Sequence, residues 1–233
     1  MRLANRLLAI AAALLVLGGP AAAAAAVKAP APKAAAAKKL PVSRPGAPVA
    51  WPGDMSQGDP RAPIEVVEYA SLSCPHCAHF NAEVFAGFKA KYIDTGKAHF
   101  AMREFLTPPA NLAAAGWLLA RCAAPAKYFS VVDGVFKSQC EWVEGADIRG
   151  ILLKVATDNG LSEAQFEACL KSEPGLKALN ERVRRAVDVE KVEFTPTVEV
   201  NGKRMDDAPQ SLADLDAAIA AAPKKPAPRP RRR

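Results

Sequence analysis

Cys74-Pro75-His76-Cys77 stands at the junction of a strand-like run and a helical one. The run before it, Ile64-Glu65-Val66-Val67-Glu68-Tyr69, is apolar nearly throughout, the pattern of a central strand. After it, Phe80, Val84, Phe85 and Phe88 recur on one helical face. A chain that leaves a buried strand and enters a helix through two cysteines has few folds open to it. The first sulfur lies at the helix N-terminus, where unpaired N–H groups and the dipole favour an anion. A free thiol has a pKa of about 8.5 and this position lowers it, so Cys74 reads as a reactive thiolate at neutral pH.

The N-terminus reads as an export signal. Arg2 and Arg6 precede an apolar stretch from Leu7 to Leu17; Gly18-Gly19-Pro20 breaks it, and small residues follow to Ala26. Residues 1–26 are therefore assigned to a cleaved signal peptide, with an uncleaved anchor as the competing reading. The apolar stretch is shorter than the roughly 20 residues that span a bilayer. Outside the cytosol disulfides persist, and a lone Cys-x-x-Cys is redox-active more readily than zinc-binding. Tetrahedral zinc wants four ligands, and only His76 and His79 lie near the pair. No metal is expected, and no cofactor beyond the Cys74–Cys77 disulfide itself. His79 and His99 read as structural or exposed.

The formal net charge of +7 belongs to the two ends. Residues 51–222 hold 18 Lys/Arg against 24 Asp/Glu, a net of −6. An acidic body with basic tails gives no nucleic-acid signal. Residues 27–50, mostly Ala, Pro and Lys, read as a disordered linker, and residues 223–233 as a disordered basic tail.

About 170 residues lie between these ends, enough for a substantial core. Their coarse order is a strand at 64–69, a helix from 74 to about 92 and a strand at 98–105. Helical spacing then covers 109–123, 125–138, 147–159, 162–172 and 175–190. Ser162 with Gln165 forms a capping box, and Gly160 stops the helix before it. A strand at 197–200, an Asn201-Gly202 turn, a return at 203–205 and a helix from 211 to about 221 complete the order. This is an α/β pattern, the thioredoxin fold with an inserted helical domain: residues 51–107 and 191–222 form the sheet and 108–190 the insertion. The three remaining cysteines, Cys122, Cys140 and Cys169, allow one structural bridge with one thiol left over.

The segment Val67-Glu68-Tyr69-Ala70-Ser71-Leu72-Ser73-Cys74-Pro75-His76-Cys77 resembles the active-site segment of the bacterial periplasmic DsbA-type thiol-disulfide oxidoreductases. Gly58-Asp59-Pro60-Arg61-Ala62-Pro63 is similar to the approach to their first long strand. Phe194-Thr195-Pro196-Thr197-Val198-Glu199-Val200-Asn201-Gly202 is similar to their cis-proline segment and its hairpin. The resemblance covers about residues 54–221.

It implies a role for each site residue. Cys74 is the exposed sulfur that forms a mixed disulfide with a client, and buried Cys77 resolves it. His76 supports the Cys74 thiolate with a donor or a positive charge, making the disulfide more oxidising. Pro75 fills an early helical position where its missing N–H costs little. Thr195-Pro196 brings a cis bond beside the sulfurs and presents backbone groups to a client by strand addition. Glu68 aligns with the buried acid beneath the cysteines and relays a proton for Cys77. The resemblance also favours a Cys122–Cys169 bridge; Cys122–Cys140 and three free thiols stay open.

The function implied is a periplasmic protein-disulfide oxidase that donates the Cys74–Cys77 disulfide to reduced secreted clients. A membrane reoxidase or reductase would be its redox partner. The strong oxidases of the family carry valine before the cis-proline, whereas Thr195 occurs in several isomerases and reductases and in some oxidases. An isomerase or reductase is therefore the alternative. Those relatives often dimerise through an added N-terminal domain, and residues 27–50 are too low in complexity to fold as one, so a monomer is expected. A non-catalytic client-binding module with a merely structural disulfide is the third reading.

Overall fold

Five strands in the order β1-β3-β2-β4-β5 form the sheet of the computed structural model, which describes residues 51, 53–142 and 145–223. The expected signal peptide at residues 1–26, the linker expected at 27–50 and all but Pro223 of the basic tail lie outside the described residues. β2 (Ile64–Ala70) is the central strand. It runs parallel to β3 (Ala98–Glu104) and antiparallel to β4 (Thr197–Val200). Parallel neighbours need a crossover. Here it is the helical run that the two cysteines open.

That run starts as α1 (Pro75–His79) and continues through α2 (Ala86–Phe88), with π turns at Phe80–Phe85 and Lys89–Ile93. Phe80, Val84 and Phe88 are buried in the core, and Phe85 packs against Phe100 of β3 at 4.7 Å between ring centroids. The spacing anticipates the buried face but carries no sign of the π turns.

β1 (Met55–Gly58), an edge strand antiparallel to β3, is absent from the sequence-based assignment. Four residues, Met-Ser-Gln-Gly, alternately half-buried and exposed, carry too little pattern to mark a strand. Gly58 shows why the edge fits: its φ is +88°, and a Cβ there would stand 2.3 Å from the Ala98 carbonyl oxygen. All seven residues of β3 are buried. Phe100 and Met102 join the main core, while Ala101 packs with Val67, Tyr69, Ala186 and Val192 on the opposite face.

The insertion between β3 and β4 holds α3 (Ala110–Cys122), α4 (Tyr128–Ser138), α5 (Ile148–Asp158), α6 (Glu163–Leu170) and α7 (Glu173–Asp188). The capping box of Ser162 and Gln165 opens α6, and Gly160 sits before it at φ +90°. The helices share one continuous core with the sheet, in which Trp117, Val135 and Phe166 join Val66, Phe100 and Leu215. Trp117 Nε1 donates to the Phe105 carbonyl at 3.0 Å, anchoring α3 to the end of β3. Cys122 and Cys169 are joined by a disulfide, Cα–Cα 6.0 Å, between α3 and α6. Closing a loop of sequence separation 47 stabilises by up to about 4 kcal/mol in the chain-entropy model.

The Asn201-Gly202 turn has positive φ at both residues, as a tight hairpin demands, and returns the chain as β5 (Lys203–Arg204). α8 (Leu212–Ala221), capped by Ser211 and Asp214, closes the fold with Leu215 fully buried.

Candidate active site

β2 ends at Ala70, and the turn Ser71-Leu72-Ser73 delivers Cys74 to the N-cap of α1. The Cys74 amide donates to the Ser71 carbonyl at 3.0 Å, and the Cys74 carbonyl accepts from Ala78 at 3.1 Å. Cys74 keeps extended backbone angles, and Pro75 begins the helix. The turn is held by hydroxyls that sequence analysis passes over. Ser73 Oγ donates to the Thr107 carbonyl at 2.8 Å, and the Thr107 amide donates to Ser71 Oγ at 3.0 Å. Gln139, in the turn after α4, reaches across from the insertion. Its Nε2 donates to the Leu72 carbonyl at 2.8 Å and to that of Cys74 at 3.3 Å. Nothing in the spacing of Gln139 or Thr107 marks them; only the fold brings them here.

The two thiols are unequal. Cys77 is fully buried, and burial is the largest cause pushing its pKa well above the usual thiol value, with the Cys74 hydrogen bond next. Cys74 is lowered to about 5. The hydrogen bond from Cys77 is the main cause, followed among the favourable contributions by the Thr195 side chain and the backbone N–H groups of Cys77 and His76. At neutral pH such a sulfur is predominantly a thiolate.

One expectation needs correction: Cys74 is not broadly exposed, for it keeps only 6% of its surface, because the turn and the Thr195 segment flank it. His76 is exposed, and the donor it supplies among the largest contributions is its backbone N–H.

Thr195-Pro196 is a cis peptide, and the Thr195 carbonyl stands 3.3 Å from Cys74 Sγ, where it accepts from the sulfur in its protonated form. The Thr195 hydroxyl is buried without another partner among the described residues, which leaves it available to the thiolate. Glu68, on the core face of β2, is 1% exposed, and its Oε1 has no hydrogen-bond partner there. Burial, then the charge of Cys74, pushes its pKa up to about 8. Its proximity to the pair is also read in Cys77, which the Glu68 charge raises further.

The other singled-out residues lie apart from the thiols. His79 is exposed at the end of α1. His99 is buried, with Nδ1 3.9 Å from Glu65. Cys140 is an exposed free thiol that donates to the Lys137 carbonyl at 3.2 Å. Among the described residues no three His, Cys, Asp or Glu side chains converge as a metal would require.

This geometry has known counterparts. Residues 51–221 match the family model described as thioredoxin. A protein of Rickettsia typhi named a protein-disulfide oxidoreductase is 32% identical over 150 residues, 64% of this chain and 55% of the relative. The chain thus spans little more than half the length of that relative. The crystal structure of Wolbachia pipientis alpha-DsbA1 is similar with a TM-score of 0.67 at 26% identity, covering 74% of this chain and 92% of that one. BdbD of Bacillus subtilis shares the fold, with a TM-score of 0.63 at 21% identity over 72% of this chain and 92% of that one. The chain belongs to the thioredoxin family, and its helix-interrupted sheet is of the DsbA type.

Proposed function

We propose that this protein is a thiol:disulfide oxidoreductase that donates the Cys74–Cys77 disulfide to reduced, secreted client proteins. The observation that carries the reading is the inequality of the pair, with Cys74 lowered to about 5 and Cys77 pushed well above a normal thiol. Thiol-disulfide exchange runs fastest when the leaving sulfur has a low pKa. A disulfide is also more oxidising when its reduced form is stabilised.

The steps follow from these groups. A client thiolate attacks Cys74 Sγ and forms a mixed disulfide. The Cys74–Cys77 bond breaks, and Cys77 leaves. As a thiolate Cys77 is strongly disfavoured in its apolar surroundings, so it takes a proton. Glu68, which burial keeps protonated, supplies that proton. A second client thiolate then attacks the client sulfur, and Cys74 departs as the stabilised thiolate. Two electrons pass to the protein, which ends reduced, and the client gains one disulfide.

The signal-like residues 1–26 support a periplasmic location for this chemistry. A membrane reoxidase would then restore the disulfide, and the protein would act as a monomer without nucleic acid or metal. Isomerase or reductase activity is the second reading, favoured by Thr195 beside Cys74.

The equilibrium of Cys74–Cys77 with glutathione tests both. Each shift of about 30 mV changes the constant tenfold. A potential far above the roughly −270 mV of thioredoxin is expected, and a value near it would move the protein to the reductase side. Inertness to glutathione would leave only a structural disulfide.

A further inference from the structure

We propose that Gln139 is a positioning residue for the exchange reaction: through it the helical insertion fixes the turn that carries Cys74 and so sets how strongly the Cys74–Cys77 pair oxidises. The inference rests on the oxidoreductase reading and gives the insertion a part in it.

The structure holds Cys74 and Cys77 as free thiols, the reduced form of the pair. In that form no covalent bond ties Cys74 to the helix it opens. The backbone N–H groups of His76 and Cys77 reach its sulfur only while Cys74 keeps its extended N-cap angles. α1 is five residues long, and its N-cap carries no side-chain hydrogen bond of its own. The geometry is therefore imposed by neighbours outside the helix. Thr107 holds Ser71 and Ser73. Gln139 holds the two residues between and after them, with Nε2 donating to the Leu72 carbonyl at 2.8 Å and to the Cys74 carbonyl at 3.3 Å.

Leu72 is fully buried, and among the described residues no other donor meets its carbonyl. A carbonyl only accepts, so the amide NH2 of Gln139 is the end that faces both oxygens. The root of this side chain is fixed. α4 buries Val131, Val132, Val135 and Phe136 just before it. Just after it, the Trp142 amide donates to the Gln139 carbonyl at 3.1 Å, and Trp142 Nε1 donates to Ser138 Oγ at 3.2 Å.

In the oxidised form the sulfur–sulfur bond takes over part of this hold, because it ties Cys74 directly to Cys77. Losing Gln139 then costs the reduced form more than the oxidised one. A disulfide whose reduced form is less stabilised is a weaker oxidant. A side chain that merely tied the insertion to the sheet would cost both forms alike and leave the potential where it was.

The test measures the equilibrium of Cys74–Cys77 with glutathione in the full-length protein and in two variants. Gln139→Met keeps the length and removes the donor. Gln139→Asn keeps the amide but falls one methylene short of the two carbonyls. Neither adds a charge, and either one that folds decides the matter. Both should shift the equilibrium about three- to tenfold towards the disulfide. The Cys74 thiolate absorbance should then titrate at a higher pH than in wild type. A constant and a titration unchanged in a folded variant overturn the inference, even where denaturant unfolding shows lost stability. A wild type that exchanges with glutathione while the variants match it overturns the role of Gln139 alone. A wild type inert to glutathione overturns the oxidoreductase reading and this inference with it.

Discussion

Glu68 and Glu104 are each 1% exposed on adjacent strands of one sheet, yet their two regions treat a buried carboxyl in opposite ways. Glu104, at the end of β3, accepts from Arg121 of α3 and from Arg182 of α7 at 2.7 Å, with the Tyr128 hydroxyl at 3.5 Å. It is an ionic clamp that joins the helical insertion to the sheet. Glu68 meets no guanidinium and leaves Oε1 without a partner among the described residues. Burial, with the Cys74 charge, holds it protonated to about pH 8. Burial is therefore not what assigns a role to an acid. The partner decides: without one among the described residues, the carboxyl beside the thiols stays protonated to about pH 8, which suits the proton-donor role proposed for it.

The comparison breaks first at Glu68. The native protein binds a proton there that the unfolded chain releases above about pH 4.5, so this group lowers stability as pH rises from 4.5 to about 8. Cys74 acts in the other direction, since its stabilising contribution is lost as pH falls through about 5. That contribution is shared by wild type and variant, apart from the repulsion between the two charges, which Glu68→Gln also removes. Glu68→Gln in the reduced protein should be more stable than wild type at pH 9, on the order of 4 kcal/mol. The gain should shrink towards zero near pH 4.5. Denaturant unfolding across pH measures it, and a gain independent of pH would mean that Glu68 is not held neutral.

A smaller effect is expected at the clamp. Glu104→Ala leaves Arg121 and Arg182 without their carboxylate and should cost about 3 kcal/mol, tempered by the part of each guanidinium that water reaches. A loss below about 1 kcal/mol in the same unfolding assay would reduce Glu104 to the status of a surface ion pair.

The smallest effect sharpens the redox half. Because His76 supports the thiolate through its backbone N–H, His76→Ala should move the Cys74 pKa by less than about half a unit. His76→Pro, which removes the donor, should raise it by roughly one to two units. Thiolate absorbance against pH reads both, and equal shifts would show that the imidazole itself matters.

Much of this architecture is legible in the sequence because its signals are local. The buried run 64–69, the helical face of Phe80, Val84 and Phe88, the Ser162/Gln165 box and the Asn201-Gly202 turn each depend on neighbours a few residues away. β1 carries no such pattern, since its four alternately half-buried and exposed residues become a strand only against β3. That both faces of β3 are buried is likewise decided from afar: α7 and the segment before β1 cover its outer side, where Arg103 finds Asp54 at 3.0 Å.

At the site the division is the same. The sequence by itself determined that two thiols open a helix after a buried strand, and hence that one sulfur meets free N–H groups. Only the tertiary structure decided which carbonyl faces Cys74, that Gln139 and Thr107 hold its turn, and that Glu68 is left unpaired beneath it. Helix-end electrostatics acts within one turn of chain, whereas desolvation and partner choice depend on segments that meet only when the whole core closes.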